Sequence, residues 1–184
     1  MTDIATRSDY IVGTWKLDPA HSELTFSVKH LAISKVKGTF ETWDVTVVTT
    51  EDPKDITVEA TIDVASVNTK QEQRDAHLRS SDFFLAAEHP TMTFTSTSFE
   101  VDGDDFTLTG DLTMRGVTKS VTLKGEFGGL ITDDYGVTKA GASASTKLNR
   151  HDFGVSWNAA LEAGGFTLGD DVTISIDLQV DLQK

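Results

Sequence analysis

The C-terminal stretch constrains the fold more than any other part of the chain. Val172, Ile174, Ile176, Leu178, Val180 and Leu182 alternate with Thr173, Ser175, Asp177, Gln179 and Asp181. Strict alternation sends one set of side chains to each face of an extended strand. One face is apolar and the other wet, as in an antiparallel sheet rather than a parallel sheet buried on both sides. Ile56, Val58, Ala60 and Ile62 repeat the pattern against Thr57, Glu59, Thr61 and Asp63. So do Phe106, Leu108, Gly110, Leu112 and Met114 against Thr107, Thr109, Asp111, Thr113 and Arg115.

Further strands follow from shorter runs. Leu24, Phe26 and Val28 share a face, as do Met92 and Phe94 in the run Thr91–Phe99. Val121, Leu123, Gly125 and Phe127 follow Phe106–Met114 closely, which predicts a hairpin. Val36, Gly38 and Phe40 occupy even positions, whereas Trp43, Val45 and Val47 occupy odd ones. The change of parity predicts a bend or bulge at Glu41-Thr42. Turn signals stand at Asp102-Gly103, Gly128-Gly129, 133–136, Gly164-Gly165 and Gly169-Asp170. One segment departs from the β pattern. Thr69 with Glu72 reads as a capping box, and a helix is expected over Lys70–Arg79. An irregular segment should then tuck Phe83 and Phe84 inward. The expected architecture is all-β: an eight-stranded antiparallel barrel with one inserted helix, the whole of 1–184 forming a single domain, with a two-sheet sandwich as the alternative.

Composition narrows the function. With no cysteine there is no disulfide framework, thiolate metal site or cysteine nucleophile. The net charge of −13 argues against nucleic acid as a partner and against anionic membrane surfaces. The longest apolar run, 83–87, is far too short for a membrane-spanning helix, so no stable membrane insertion is expected. Residues 1–17 carry Asp3, Arg7 and Asp9 and lack the apolar segment of a secretory signal, which makes the cytoplasm the expected location.

No sharp catalytic signal is present. The five histidines, His21, His30, His77, His89 and His151, form no close pair of metal ligands, and no metal is expected. The acidic turns lack the spacing of a calcium loop. No nucleophile elbow, phosphate loop or dinucleotide fingerprint occurs. Arg74 and His77 share a helix face, most simply as donors to loop carbonyls where the helix plugs the fold.

The inward faces mix large residues with small ones. Gly110, Gly125 and Ala60 sit among leucines and phenylalanines, and Ala140, Ala142 and Ala144 make up one face of a strand. Either these small residues leave room for a ligand lined by Phe26, Phe40, Trp43, Phe94, Phe127, Phe153 and Trp157, or they accommodate large residues opposite in a packed core.

Read in order, the polar motifs resemble the YceI-like family of lipocalin-like, polyisoprenoid-binding proteins. The resemblance runs through 15–22, 26–31, 36–40, 65–69, Arg74–Phe84, His89–Ser96, Gly110–Lys119, Leu148–Val155 and the final strand 172–180. It implies an extended barrel whose interior holds a long isoprenoid lipid, a polyprenyl diphosphate or an isoprenoid quinone, with no cofactor and no catalysis. Many relatives are secreted or periplasmic, which the absence of an export signal here sets apart. The expected ligand-binding residues are Phe26, Phe40, Trp43, Phe94, Leu108, Leu112, Phe127, Ala142, Arg150, Phe153, Trp157, Ile174 and Ile176. Arg150 and Arg115 are the candidate cations for a diphosphate head, whereas the acidic chain favours a less charged one. Two other readings stand beside this one. In the first, an enzyme or stress-response factor acts on the lipid through His21, Arg74, His77 and Arg150. In the second, a packed-core interaction module functions through its surface. A homodimer is compatible with each.

Overall fold

A computed structural model describes residues 7–184. Among them are eleven strands and one helix. The strands are β1 (Gly13–Leu17), β2 (Glu23–His30), β3 (Ser34–Phe40), β4 (Trp43–Thr49), β5 (Thr57–Asp63) and β6 (Val67–Asn68), followed after helix α1 (Glu72–Arg79) by β7 (Thr91–Asp102), β8 (Asp105–Met114), β9 (Val117–Thr132), β10 (Thr138–Asn149) and β11 (Leu168–Leu182). Eight of them close a ring in the order β1-β4-β5-β7-β8-β9-β10-β11, with β11 returning to β1 through Trp15 opposite Leu182 and Leu17 opposite Val180. Every pairing is antiparallel. The expected eight-stranded barrel is therefore present, extended by a flap of three further strands.

The flap arises because β11 is longer than β1. Its C-terminal end pairs with β1, and its earlier residues pair with β2, Ile174 lying opposite Phe26. β2 then pairs with β3, and β3 with β6. The parity change at Glu41-Thr42 is the point where the chain leaves the flap for the ring. β3 before it faces β2 and β6, and β4 after it faces β1 and β5. Phe40 and Val45 are both buried on either side of this bend, which the change of parity makes possible.

Two of the predicted turns are instead irregularities inside strands. Gly128-Gly129 lies within β9, where Gly141 opposes Gly129 and Ala142 opposes Phe127, so Gly128 is the extra residue. Gly129 has φ 125°, a conformation open to glycine and few others. Gly169-Asp170 lies within β11 where its register against β2 shifts. A bulge keeps the ladder running while it adds curvature, and the local sequence signal is the same as that of a turn. The β2–β3 connection is tighter than its sequence suggests. Ile33 N–H donates to the His30 carbonyl at 3.2 Å, and the two central residues, Leu31 and Ala32, have φ 53° and 59°. Left-handed backbone costs roughly 1–2 kcal/mol for a residue that is not glycine, and such a turn ordinarily takes Asn-Gly.

The helix begins later than predicted, and Thr69 does not cap it. Gln71 is the N-cap, its side chain accepting from the Arg74 N–H. Thr69 is turned inward and buried. Its N–H and hydroxyl both donate to Asp75 Oδ1, at 2.8 and 2.6 Å. Arg74 completes the unit, donating from Nε to Thr69 Oγ1 at 2.8 Å and from Nη2 to the Thr69 carbonyl at 2.9 Å. Asp75 is thus the buried acceptor that folds the helix back onto β6.

The small inward residues divide into two groups. Gly38, Gly110 and Gly125 are covered by the rings of Phe26, Phe94 and Phe106, and a Cβ on Gly38 or Gly110 would meet its ring at 2.5 Å. Here the packed-core reading holds. Ala140, Ala142 and Ala144 face empty space. The bulge in this region falls on β9 and leaves β10 in unbroken register with β11, Ala142 opposite Leu178.

Candidate functional site

The interior contains two chambers along the barrel. The upper one, about 260 Å³, is walled by the ring strands. The lower one, about 340 Å³, lies between the flap, α1 and the segment that follows β10. Leu24, Ile62, Leu112, Leu148 and Ile174 line both, so the chambers meet at that level.

The upper chamber is almost wholly aliphatic and aromatic. Of the expected ligand-binding residues it takes Trp43, Phe94, Leu108, Phe127, Ala142 and Ile176, together with Leu112 and Ile174. Its polar atoms are satisfied within the protein. Trp15 Nε1–H donates to Thr49 Oγ1 at 2.9 Å, and the Tyr10 hydroxyl donates to the Thr50 carbonyl at 2.8 Å. Burial pushes the Tyr10 phenol above its ordinary range. Arg7, Asp9, Tyr10 and Ile11 line the mouth of this chamber. Arg7 sits 5.0 Å from the centre of the Phe127 ring and pairs with Asp9 and Asp104, each at 3.0 Å. Beside it a surface depression is ringed by Asp9, Asp102, Asp104, Asp105 and Glu126. That end of the barrel repels anions.

The lower chamber has a different chemistry. Phe26, Phe40 and Trp157 line it, as expected, with Phe83 and Phe84. Arg150 also lines it and is only 4% exposed. Its Nε–H donates to the Gly169 carbonyl at 2.8 Å, and Nη1 donates to the carbonyls of Val155 and Trp157 at 2.9 and 2.8 Å. Nη2 is buried with no partner. No carboxylate lies within 4.0 Å of this guanidinium among the described residues. Burial lowers its pKa, which the more distant Asp170 partly offsets. A buried donor with no acceptor is costly, and such groups in native structures usually have an unseen partner.

Phe153 is the exception among the expected residues. It is 2% exposed, belongs to the packed core and lines neither chamber. It follows Arg150 in a short helical turn capped by Asn149, so its ring secures the turn that presents the guanidinium. Arg115 lines neither chamber, although its Nε, like Arg150 Nη2, is buried without a partner. It bonds the carbonyls of Gly154 and Ser81 at 3.0 and 2.9 Å and ties the β8–β9 turn to the base of the barrel.

Of the four polar residues weighed for catalysis, Arg74, His77 and Arg150 line the lower chamber, but none is hydrogen-bonded to another. His21 pairs with Asp18 at 2.8 Å on the surface, Arg74 bonds Thr69, and Arg150 bonds backbone carbonyls. His77 Nε2 lies 2.8 Å from Asp82, while its ring packs edge-on against Trp157 and Phe83, with centroids 4.8 and 4.9 Å away. Among the described residues no group of three or more His, Asp or Glu side chains is arranged to hold a metal ion.

The YceI-like domain profile matches residues 15–180. The chain belongs to the YceI-like family. This YceI-like chain is 39% identical over 170 residues to protein YceI of Escherichia coli, covering 91% of this chain and 87% of that protein. A UPF0312 protein of Staphylococcus aureus is 38% identical over 169 residues, covering 91% and 96% respectively. The crystal structure of a Campylobacter jejuni YceI protein superposes with a TM-score of 0.71 at 35% identity, over 91% of this chain and 97% of that one. A Saccharophagus degradans structure described as a polyisoprenoid-binding domain has a TM-score of 0.70 at 17% identity, over 94% and 100%, and shares the fold. The matched YceI-like region includes both chambers. Residues 7–11, over the upper mouth, lie before it.

Those mouth residues were not foreseen as part of the site, and neither were Leu78, Phe84, Val155 and His30 in the lower chamber. Phe84 carried a sequence signal, since an aromatic pair after a short helix was expected to turn inward. The others are placed by contacts between segments far apart in the chain, which periodicity does not report.

Proposed function

We propose that this protein binds and sequesters an isoprenoid lipid, with the chain in the upper chamber and the polar head in the lower one beside Arg150. The observation that carries this reading is the unpartnered Nη2 of Arg150, a residue on the wall of a largely apolar chamber that shares five wall residues with a more apolar one. An apolar cavity with one or two convergent polar groups is the usual form of a lipid or small-molecule site. Family membership and the shared fold of a polyisoprenoid-binding domain support the same ligand class. Each buried methylene contributes roughly 0.8 kcal/mol, so a long branched chain binds firmly even after ordering costs.

The head we favour presents a single hydrogen-bond acceptor, such as a quinone carbonyl. A diphosphate needs several free donors. Here Arg115 lines neither chamber and Arg74 already donates twice to Thr69, while the acidic upper mouth offers no alternative. The test is native mass spectrometry of the purified protein, followed by organic extraction and identification of what is released. An isoprenoid quinone, retained natively or bound on addition to the stripped protein, is the expected result. A stripped protein that takes up no isoprenoid lipid would overturn the reading.

A further inference from the structure

The β2–β3 hairpin stands apart from the rest of the surface in charge. Between Glu23 and Glu41 the chain carries Lys29, Lys35 and Lys37 and no carboxylate, within a protein of net charge −13. All three lysines are exposed on the outer face. Lys29 lies directly opposite Lys35 across the ladder, and Lys37 opposite Ser27. Like charges placed opposite one another destabilise a sheet. Yet among the described residues none of the three has a carboxylate within 4.0 Å. Asp170 and Asp171, on the neighbouring strand, are turned to His151 at 2.8 Å and Lys147 at 3.9 Å.

The tip of this hairpin is apolar. Ile33 is 86% exposed and Leu31 36%. The Leu31 N–H donates to the Thr167 carbonyl at 2.8 Å, which fixes the tip beside the loop bearing Phe166, itself 63% exposed. That loop brings one carboxylate, Glu162, so the balance of the tip remains positive. The strained Leu31-Ala32 turn keeps a hydrophobic residue where Asn-Gly would be easier. His30, Thr167 and Leu168, at the foot of the same hairpin, line the lower chamber.

We infer that the β2–β3 tip docks on the surface of an anionic lipid bilayer, with Ile33, Leu31 and Phe166 in the headgroup region and Lys29, Lys35 and Lys37 against the lipid phosphates. Basic side chains beside apolar anchors are the combination by which proteins lie on anionic membranes. The acidic remainder of the chain does not prevent this. At physiological salt, charges more than ~8 Å from the surface are largely screened, so the local lysines decide. Docking would set the lower chamber against the membrane. It does not depend on what the interior holds.

The experiment is flotation of the full chain with vesicles of phosphatidylglycerol and phosphatidylcholine, compared with vesicles of phosphatidylcholine alone. Wild type should float with the anionic vesicles only. Lys29→Glu/Lys35→Glu/Lys37→Glu should weaken that association by roughly a hundredfold, and Ile33→Asp by about tenfold, with melting temperatures unchanged. Lys119→Glu/Lys124→Glu, on the β8–β9 side, should bind as wild type does. Equal binding to both vesicle types, or hairpin variants that float like wild type, would overturn the inference. Sedimentation velocity without lipid supplies the remaining outcome. A dimer that Ile33→Asp dissociates would assign the tip to a second copy of this chain and also overturn it. Because no added isoprenoid is involved, failure here is distinct from failure of the lipid-binding reading.

Discussion

The two chambers share five wall residues and little else. The upper one is an aliphatic and aromatic tube whose polar atoms are all engaged and whose mouth is acidic. The lower one is just as enclosed by phenylalanines, yet it carries a buried cation with an idle donor. The contrast shows that one barrel can be graded along its length. On the proposed reading, the upper part takes the hydrocarbon chain and the lower part the acceptor at its end.

The largest effect that would break this contrast lies at Arg150. Arg150→Met removes the donors from three backbone carbonyls and should cost about 3 kcal/mol, after relief of the buried charge is counted. Urea unfolding of the lipid-free protein measures it. A loss below ~1 kcal/mol would show that the guanidinium is held for the ligand and not for the fold.

The next two variants set a filled position against an empty one. Gly125→Ala drives a methyl into the Phe106 ring and to 2.5 Å from the Ser143 carbonyl, and should destabilise by about 2 kcal/mol. Ala142→Trp points into the upper chamber instead. The lipid-free protein should change by less than ~1 kcal/mol, because the indole enters a void, while lipid uptake is lost. Thermal melting with lipid uptake measured in parallel separates the two. A steep loss of stability in Ala142→Trp with lipid uptake intact would mean that the upper chamber is not where the chain lies.

The smallest expected effect is at the surface and serves as a control on the interior. A hydrogen bond with His21, another from the Ala20 N–H, and then Lys139 nearby hold the Asp18 carboxyl below its ordinary value of 3.8. A depressed carboxyl contributes stability that is complete above the unfolded value and is lost as pH falls from there through the folded one. Melting temperature should therefore fall more steeply below about pH 3.8 in wild type than in Asp18→Asn. Parallel profiles for the two proteins would show that the pairing contributes nothing.

Much of the barrel was legible because its strands alternate so regularly. The parity change at Glu41-Thr42 even located the corner where flap and ring part. The readings that failed did so where one local pattern serves two purposes. Gly128-Gly129 and Gly169-Asp170 have the residues of turns, but neighbouring strands continue past them, and they become bulges. Thr69 and Glu72 have the spacing of a cap, but Asp75 takes the Thr69 hydroxyl. Glycine on an inner face meant a covering phenylalanine from the adjacent strand, whereas alanine in β10 meant open space, and composition does not separate these. Arg150 was named from a motif, and its burial and idle nitrogen depend on carbonyls from 155, 157 and 169 converging in space.

A high-resolution crystal structure of the protein with a bound isoprenoid quinone tests the proposed orientation. The isoprenoid chain should lie beside Ala142 in the upper chamber, with a head-group oxygen about 2.7–3.2 Å from Arg150 Nη2. A chain lying in the opposite sense, its head at the upper mouth by Arg7 and Nη2 still without a partner, would contradict it.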